Sequence, residues 1–391
     1  MVPTTQSIPI VDLNAPLPDL VESIDLAMTT VGFMMVKNAL KFPPARNRKA
    51  MEMASALFNL SSSEKRSTLG PVEHSIRGYF GVGGENIEGL TSIKENTYQN
   101  KVIDSKEGWE VGRDNPPVSG LHADTVVGQL FCNPEMNRWP KAFSEEMRPS
   151  SPASSSTDAS DYLYYYHEDL QLPLNRNTAG VSGTITAAEF RDFVNSYYED
   201  IVDLSAQLIG LSELALQRYH KLSPGLVAHC NFDNMVSTLR MLHYPPSKGS
   251  QQCKLPTGET IGIGAHRDYG LLTLLLQDCS GGLQVLSPNG REWIEVPPNT
   301  EYDFFVVNVG DMMMQITNGL YKSNIHRVVR QATCERSRYS IPFFVEPDPR
   351  MDVPGTDGKD CEAFLIEYYK RSGILNDETV EHHRRALSYH S

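Results

Sequence analysis

Two histidines and one aspartate are the residues of this chain whose types and spacing point most directly to chemistry. His266 and Asp268 are two residues apart, so on a β-strand both side chains would point to the same face. His326 comes much later, in the segment Ser-Asn-Ile-His-Arg-Val-Val. Two imidazoles and one carboxylate can occupy one face of a metal ion and leave its other positions open, which is typical of non-haem Fe(II) centres. On its own, the pair at 266 and 268 would also fit an exposed turn or a buried hydrogen-bonded pair.

A second pair with the same spacing, Arg338 and Ser340, offers hydrogen-bond donors for an anion. The residues that follow, Ile-Pro-Phe-Phe, are apolar and predict a buried strand. A buried arginine needs an anionic partner, and a planar guanidinium beside a hydroxyl suits a carboxylate. The alternative is a surface strand with an ordinary salt bridge.

The remaining histidines are weaker candidates for metal ligands. His382 and His383 stand beside two arginines on a charged C-terminal helix and are expected on its solvated face. His243 precedes Tyr244 on a predicted strand and is expected to be packed or to point outward. None of them has a partner at a ligand spacing, so the pattern favours His326 as the third ligand.

Composition and charge argue against several classes of protein. The chain has 391 residues, of which 40% are apolar and 21% charged, as in an ordinary globular protein. Its net charge of −13 lacks the basic surplus that binding to nucleic-acid phosphates requires. No apolar run is long enough for a membrane helix, and no secretory signal is recognisable. Six scattered cysteines without a C-x-x-C pair predict reduced thiols in a cytoplasmic enzyme.

The elements that must position these residues change in character along the chain. Residues 184–220 carry an apolar stripe at spacings of three and four, which predicts one long helix packed against a sheet. The stripe consists of Phe190, Phe193, Tyr197, Ile201, Leu204, Leu208 and Leu211. From about residue 236, short apolar strands alternate with turn residues, which indicates an antiparallel sandwich or jelly roll. The expected fold class is therefore mainly β with flanking helices.

Three segments are expected along the chain. Residues 1–140 form an N-terminal α/β segment, residues 141–182 an insertion, and residues 183–391 the long helix, the β core and the C-terminal helices. Serines and prolines dominate the start of the insertion, which predicts a flexible loop. A surface insertion and a lid over a substrate pocket are both compatible with this composition.

Taken in order, the motifs resemble those of the iron(II)/2-oxoglutarate-dependent oxygenases of the isopenicillin N synthase-like class, over nearly the whole chain. The motifs are Ile-Pro-Ile-Val-Asp-Leu at 8–13, Gly-Phe at 32–33, Arg-Gly-Tyr at 77–79, Leu-His-Tyr-Pro at 242–245, His-Arg-Asp-Tyr-Gly at 266–270, Gly-Gly-Leu-Gln-Val at 281–285, Asn-Val-Gly-Asp at 308–311, His-Arg-Val-Val at 326–329 and Arg-Tyr-Ser at 338–340. Residues 106–113 and 240–244 look most similar to the thymine-7-hydroxylase-like branch and to enzymes of microbial secondary metabolism.

The resemblance implies a double-stranded β-helix (jelly roll) core and a set of site residues. His266, Asp268 and His326 would be the catalytic residues that hold Fe(II). Arg338 and Ser340 would bind the far carboxylate of 2-oxoglutarate, with Tyr244 assisting. The residues facing the substrate would be Arg240, Tyr269, Phe344 and Tyr79. Arg267 departs from the family pattern, which often has a small threonine between the two ligands.

The activity that the resemblance implies is the oxidation of a C–H bond in a small organic molecule by O2, while 2-oxoglutarate is converted to succinate and CO2. Hydroxylation, desaturation and oxidative ring formation are all open, and natural-product biosynthesis is the expected context. One alternative is a 2-oxoglutarate-independent Fe(II) oxidase, because isopenicillin N synthase uses an Arg-x-Ser pair for its substrate's carboxylate. Another is a catalytically silent binding protein on the same fold, which the intact triad argues against. No nucleic-acid or membrane partner is expected.

Overall fold

The computed structural model describes most of the chain, with gaps. The described residues are 7–71, 73–84, 104–114, 124–141, 164–166, 173–175, 185–223, 225–226, 230–246, 255, 258–331, 334–356, 358–372 and 374–388. Nearly all of the predicted insertion at 141–182 therefore lies outside the described residues, and so does its role as a surface loop or a lid. No helix in the described ranges combines the length and the apolar character needed to cross a membrane.

The described strands are numbered β1 to β14 in chain order. They are β1 (Ile10–Asp12), β2 (Phe33–Lys37), β3 (Gly78–Phe80), β4 (Glu107–Gly112), β5 (Tyr164–Tyr166), β6 (Pro173–Asn175), β7 (Thr238–Tyr244), β8 (Glu259–His266), β9 (Leu272–Gln277), β10 (Leu283–Leu286), β11 (Trp293–Glu295), β12 (Phe304–Val309), β13 (His326–Gln331) and β14 (Arg338–Val345). A large sheet has the order β1-β2-β12-β9-β14-β7-β4-β3, and a smaller sheet has the order β11-β10-β13-β8. The short strands β5 and β6 pair with each other.

The helices with described bounds are numbered in the same way. They are α1 (Leu17–Thr30), α2 (Pro44–Phe58), α3 (Ser62–Thr68), α4 (Val126–Cys132), α5 (Ala187–Ala215), α6 (Asp311–Ile316), α7 (Cys361–Arg371) and α8 (Asp377–Ser388). A π-helical turn, Leu216–His220, continues α5. The last two helices match the helical C-terminal segments that the sequence predicts.

The two larger sheets face each other across an apolar layer. The large sheet contributes side chains from β2, β7 and β12, and the small sheet contributes side chains from β8, β10, β11 and β13. Representative members are Phe33, Leu242, Val306, Ile263, Val285 and Val328. This pair of facing, mostly antiparallel sheets with helices outside confirms the predicted double-stranded β-helix.

Helices cover the opposite face of the large sheet. The longest, α5, begins at a capping box in which the Thr186 hydroxyl accepts from the Glu189 amide and the Glu189 carboxylate accepts from the Thr186 amide. Its predicted apolar stripe is buried against the core, with Phe193 only partly covered. The sequence prediction of one long helix packed on a sheet is therefore confirmed, with bounds a few residues narrower than 184–220.

Strands from the first 140 residues join the large sheet. β1 pairs in parallel with β2, and β2 pairs with β12. At the other edge, β3 pairs with β4 and β4 pairs with β7. The strands β7, β9 and β14 therefore lie inside the sheet, where neighbours on both sides hold the side chains that point toward the small sheet.

Candidate active site

The two candidate histidine ligands lie opposite each other on neighbouring strands of the small sheet. His266 ends β8, His326 begins β13, and the two residues are antiparallel partners. Their ring centroids are 4.2 Å apart. Asp268 follows just after β8, with its Oδ1 3.6 Å from His266 Nε2 and 3.7 Å from His326 Nε2. One donor atom from each residue lies within 4.8 Å of the others, so a single ion could contact all three.

Backbone carbonyls orient both imidazoles. His266 Nδ1 lies 2.9 Å from the carbonyl oxygen of Gly264, and His326 Nδ1 lies 3.2 Å from that of Asn324. When Nδ1 carries the proton it donates to these oxygens, and Nε2 keeps the lone pair on the side of Asp268. Burial and the neighbouring His326 lower the pKa of His266, which favours the neutral form that a metal ligand requires.

Two polar side chains hold the carboxylate of Asp268. The Thr273 hydroxyl donates to Oδ2 at 2.6 Å, and the Asn308 amide donates to the same oxygen at 2.8 Å. Burial alone would raise the pKa of Asp268, but the charges of His326 and His266 and these two hydrogen bonds lower it. The result is one anionic oxygen beside two imidazoles, a donor set that fits a divalent ion of the Fe(II) type.

Arg338 is buried in the wall of the same cavity, with only 1% of its surface exposed. Its Nε donates to the Gly281 carbonyl at 2.9 Å, and its terminal nitrogens lie 3.2 Å from Ser340 Oγ and 3.1 Å from Gln277 Oε1. All three acceptors are neutral. Within the described part of the chain Arg338 forms no ion pair, so its charge is available to an anion that enters the cavity.

Strand register explains why Arg338 and Ser340 share a face. They alternate on β14, opposite Tyr244 and Leu242 of β7. The ring of Tyr244 lies against the guanidinium, with its centroid 4.7 Å from Arg338 Cζ, at the distance of a cation–π contact. The predicted cosubstrate residues Arg338, Ser340 and Tyr244 are thus brought together.

The donor set and Arg338 line one cavity with about 800 Å³ of empty space, part of which is open solvent. Much of the wall is apolar and includes Phe33, Leu242, Ile263, Leu275, Leu283, Val328 and Ile374. Such a lining excludes water from the region between the candidate metal ligands and the arginine.

Three of the four predicted substrate-facing residues line this cavity: Arg240, Tyr269 and Phe344. Tyr269 stacks nearly parallel to Phe344, with ring centroids 6.4 Å apart and planes 7° apart. Arg240 forms an ion pair with Glu110 on β4, and its Cζ lies 5.3 Å from the centroid of the Phe344 ring. The three side chains form one aromatic and cationic wall.

The fourth, Tyr79, is not among the described residues that line this cavity, and its contact with substrate stays a prediction. Its hydroxyl donates to Glu107, which also binds Lys65 and His243 on the helical side of the large sheet. Alternation along β3 turns the next residue, Phe80, toward the cavity side, where it contacts Arg240. The sequence places both residues on one strand but does not say which side chain faces which side of the sheet.

Several contributing residues had no role assigned from the sequence. Asn308 stands in the quoted motif at 308–311, whereas Thr273 and Gln277 lie on β9, which follows the motif at 266–270. Lys106 lines the cavity and forms an ion pair with Asp104 at 3.0 Å. Polar residues on apolar strands were the available signal for Thr273, Asn308 and Gln277, whereas the carbonyls that orient the histidines have no sequence signature.

The expectation that His383 lies on a solvated face is wrong. His383 is 3% exposed, and its Nε2 lies 2.8 Å from the carbonyl oxygen of His74. The ring of His382 stacks on that of His74 with centroids 4.0 Å apart. The charged pattern of α8 predicted exposure, but this helix packs on α4 and on the loop before β3.

Two family models match the chain. The one described as the 2OG-Fe(II) oxygenase superfamily matches residues 235–347, and the one described as non-haem dioxygenase in morphine synthesis N-terminal matches residues 8–142. The first range contains the three candidate ligands as well as Arg338 and Ser340.

Curated relatives carry the same kind of description. The chain is 39% identical over 193 residues to the 2-oxoglutarate-Fe(II) type oxidoreductase hxnY of Emericella nidulans, covering 48% of this chain and 50% of hxnY. It is 38% identical over 173 residues to the 2-oxoglutarate-dependent dioxygenase citB of Monascus ruber, covering 44% of this chain and 49% of citB. The chain thus spans about half the length of these relatives. Clavatol oxidase claD of Penicillium crustosum is 27% identical over 388 residues, covering 94% of this chain and 95% of claD.

Solved structures share the fold. A full-length Neurospora crassa protein, solved in complex with alpha-KG, has a TM-score of 0.62 and 22% identity, covering 94% of this chain and 96% of that protein. A putative 2OG-Fe(II) oxygenase family protein from Caulobacter crescentus has the same score and identity, covering 94% of this chain and 99% of that protein. At this level of identity the similarity concerns the fold alone.

Proposed function

Because the chain belongs to the 2-oxoglutarate- and Fe(II)-dependent oxygenase superfamily, we propose that it oxidises a C–H bond of a small organic molecule with Fe(II), 2-oxoglutarate and O2. The observation that carries this proposal is one cavity that combines a buried His–Asp–His donor set with a buried arginine bound by neutral acceptors. Hydroxylation, desaturation and oxidative ring formation all belong to this class of reaction.

The first role is metal binding by His266, Asp268 and His326. The imidazoles offer Nε2, because Nδ1 of each faces a carbonyl, and Asp268 offers Oδ1, because Oδ2 is held by Thr273 and Asn308. These three residues would hold Fe(II) from one side and would leave room on the other side for 2-oxoglutarate and O2. Bound Fe(II) and 2-oxoglutarate supply the activation of O2, coupled to the conversion of 2-oxoglutarate to succinate and CO2.

The second role is cosubstrate binding by Arg338 and Ser340. The guanidinium can donate to the carboxylate of 2-oxoglutarate that lies away from the metal, and the Ser340 hydroxyl can donate beside it. Tyr244 holds the guanidinium from its other face. These contacts orient the cosubstrate, while the apolar wall excludes the water that would compete for the metal.

The third role is substrate binding by the wall of Arg240, Tyr269 and Phe344. A small organic substrate is supported by the largely apolar cavity beside the donor set and by the similarity in fold to the Neurospora crassa protein, whose structures contain thymine or 5-formyluracil. The relative named clavatol oxidase also supports a small organic substrate, and a place in natural-product biosynthesis is part of the proposal. The described cysteines are free thiols, which supports a reducing, cytoplasmic location.

The experiment that tests the proposal is an anaerobic titration of the Fe(II)-loaded protein with 2-oxoglutarate, followed by absorbance spectroscopy. We expect a visible charge-transfer band in the wild type, its loss in His326→Ala because iron is lost, and its weakening in Arg338→Gln. His382→Ala and Arg385→Gln are matched controls outside the cavity and should titrate like the wild type.

The possible outcomes separate the alternatives. Iron binding without a response to 2-oxoglutarate would contradict cosubstrate binding and favour a 2-oxoglutarate-independent Fe(II) oxidase. Absence of iron binding in the wild type would contradict both enzyme hypotheses and leave a binding protein on this fold. Release of succinate that survives in His266→Ala would also overturn the assignment of the metal ligands.

A further inference from the structure

Two of the four cationic side chains that line the cavity are compensated by carboxylates of the chain itself. Lys106 forms an ion pair with Asp104 at 3.0 Å, and both groups are almost fully buried. Arg240 forms an ion pair with Glu110 across β4 and β7. The charges of these two residues are therefore balanced before any ligand enters.

The other two cations, Arg338 and Arg267, form no ion pair with any described residue. Arg338 has three neutral acceptors and is assigned above to the far carboxylate of 2-oxoglutarate. Arg267 has no such assignment, and its guanidinium forms no hydrogen bond with any described side chain or backbone group. The cavity thus carries one positive charge more than the metal ligands and the cosubstrate explain.

The position of Arg267 follows from the end of β8. The strand ends at His266, and alternation within it would have turned the next side chain away from the metal ligands. The chain leaves the strand at this point, and Arg267 joins His266 and Asp268 in the lining of the cavity. Its Nε is buried without a hydrogen-bond partner. A buried guanidinium N–H without an acceptor is costly, and an acceptor that arrives with a ligand would remove that cost.

The remainder of the wall indicates what such a ligand looks like. Tyr269 and Phe344 offer a stacked aromatic surface, and Leu242 and Ile374 add apolar contacts. We propose, on the basis of the function proposed above, that Arg267 is a specificity-determining residue that selects an organic anion: a substrate with an apolar or aromatic body and a carboxylate or similar planar oxyanion. The guanidinium matches such a group in a bidentate geometry.

Asp311 is an alternative anionic partner for Arg267 within the chain itself. Asp311 begins α6, and its Oδ1 is also buried without a hydrogen-bond partner, while its Oδ2 accepts from the Tyr368 hydroxyl at 2.7 Å. A rotation of Arg267 toward Asp311 would make the arginine part of the contact between α6 and α7. The test therefore includes Asp311→Asn, which removes this charge and leaves the cavity cation in place.

The test measures binding of matched acids and amides to protein loaded with Mn(II) and 2-oxoglutarate without O2, by calorimetry. The probes are benzoate with benzamide, 2-naphthoate with 2-naphthamide, and cinnamate with cinnamamide. In the wild type we expect at least one acid to bind about 10-fold or more tightly than its amide, as for the loss of one charge-assisted hydrogen bond. Arg267→Gln should lose this preference, Arg267→Lys should keep part of it, and Asp311→Asn should keep it in full.

The outcomes distinguish this inference from the proposed function. If the wild type binds 2-oxoglutarate but no acid binds better than its amide, or if the preference survives in Arg267→Gln, the role of Arg267 is overturned and the oxygenase assignment stands. If Asp311→Asn abolishes the preference as fully as Arg267→Gln, the arginine acts through Asp311 and the direct contact is overturned. If the wild type fails to bind 2-oxoglutarate at all, the proposed function itself fails.

Discussion

Arg338 and Arg240 are both buried arginines on the wall of one cavity, but the chain compensates their charges differently. Arg338 is 1% exposed and is held by a carbonyl, an amide and a hydroxyl. Arg240 is 5% exposed and forms an ion pair with Glu110. Both also contact aromatic rings, Tyr244 in the first case and Phe344 in the second.

The difference distinguishes Arg338, whose charge is not neutralised until an anionic ligand binds, from Arg240, whose charge is already neutralised by Glu110. Neutral acceptors fix the direction of the Arg338 guanidinium without neutralising it, so a carboxylate that enters the cavity gains the full interaction in a dry environment. Asp278, the nearby buried acid, is bound instead to the backbone amides of Tyr339 and Ser280, and burial raises its pKa. Arg240 is already paired with the carboxylate of Glu110, so it should contribute less than Arg338 to the affinity for an anionic ligand.

The largest effect is expected from Arg338→Gln on the binding of 2-oxoglutarate. Loss of a buried, hydrogen-bonded charge pair should raise the Kd by about 100-fold or more, measured by calorimetry on the anaerobic metal-loaded protein. Without the cosubstrate, the variant should be no less stable than the wild type in urea unfolding, because the charge it loses has no anionic partner. A large loss of stability with unchanged affinity would reverse the comparison and make Arg338 the structural arginine.

The next effect is expected from Glu110→Gln, and it should appear in stability. Removal of the carboxylate from a buried ion pair typically costs about 3–5 kcal/mol of the free energy of unfolding, measured by urea denaturation. The Kd for 2-oxoglutarate should change by less than about 3-fold, since Glu110 and Arg240 lie outside the cosubstrate corner. The double variant with Glu110→Leu and Arg240→Met, which removes both charges, should recover most of the stability; if it does not, the pair contributes more than charge compensation.

The sequence alone could predict the residues that lie in contiguous motifs. His266 with Asp268, and Arg338 with Ser340, repeat at the period of a strand, and the distant His326 was chosen because its surrounding motif matches the family. The apolar alternation after residue 236 predicted the two-sheet core because successive side chains of a strand point to opposite faces, and one face of each strand must be buried.

What the sequence could not predict depends on contacts between segments. Tyr79 and Phe80 are both aromatic residues on one short strand, and only the pairing of β3 with β4 decides which of them faces the cavity. His383 stands in a charged pattern that predicts exposure, yet packing of α8 buries it. Arg267 lines the cavity because β8 ends one residue earlier, and strand ends are the least predictable feature of a sequence.

A smaller effect, on the pH dependence of the free energy of unfolding, should come from the buried carboxyl group of Glu346, which lies near Arg240. Its carboxylate accepts from the Tyr369 hydroxyl at 2.7 Å, and burial raises its pKa to about 8. Between about pH 4.5 and pH 8, Glu346 therefore keeps its proton in the folded protein but loses it in the unfolded chain. The free energy of unfolding falls as pH rises through this range, because the folded state binds more protons than the unfolded state. Relative to Glu346→Gln, the wild type should therefore lose roughly 1–3 kcal/mol between pH 5 and pH 8.5 in urea unfolding.

Glu107 provides the matched control for that measurement, because its pKa moves in the opposite direction. Burial alone would raise it, but hydrogen bonds from His243, Tyr79 and Lys65 lower the pKa to about 2. Its contribution is present above about pH 4.5 and is lost as pH falls toward 2. Glu107→Gln should thus destabilise the protein equally at pH 5 and pH 8.5. An equal pH response of the two variants would show that Glu346 is ionised in the folded protein.

The smallest effect separates the ring of Tyr244 from its hydroxyl. The ring lies 4.7 Å from Arg338 Cζ, and a cation–π contact in a dry site contributes about 0.5–2 kcal/mol. Tyr244→Leu should therefore raise the Kd for 2-oxoglutarate by about 3- to 30-fold, whereas Tyr244→Phe keeps the ring and should stay within about 2-fold of the wild type. Calorimetric titration of both variants checks this. If phenylalanine costs as much as leucine, the hydroxyl is what assists the cosubstrate, and the guanidinium is oriented by its three neutral acceptors without help from the ring.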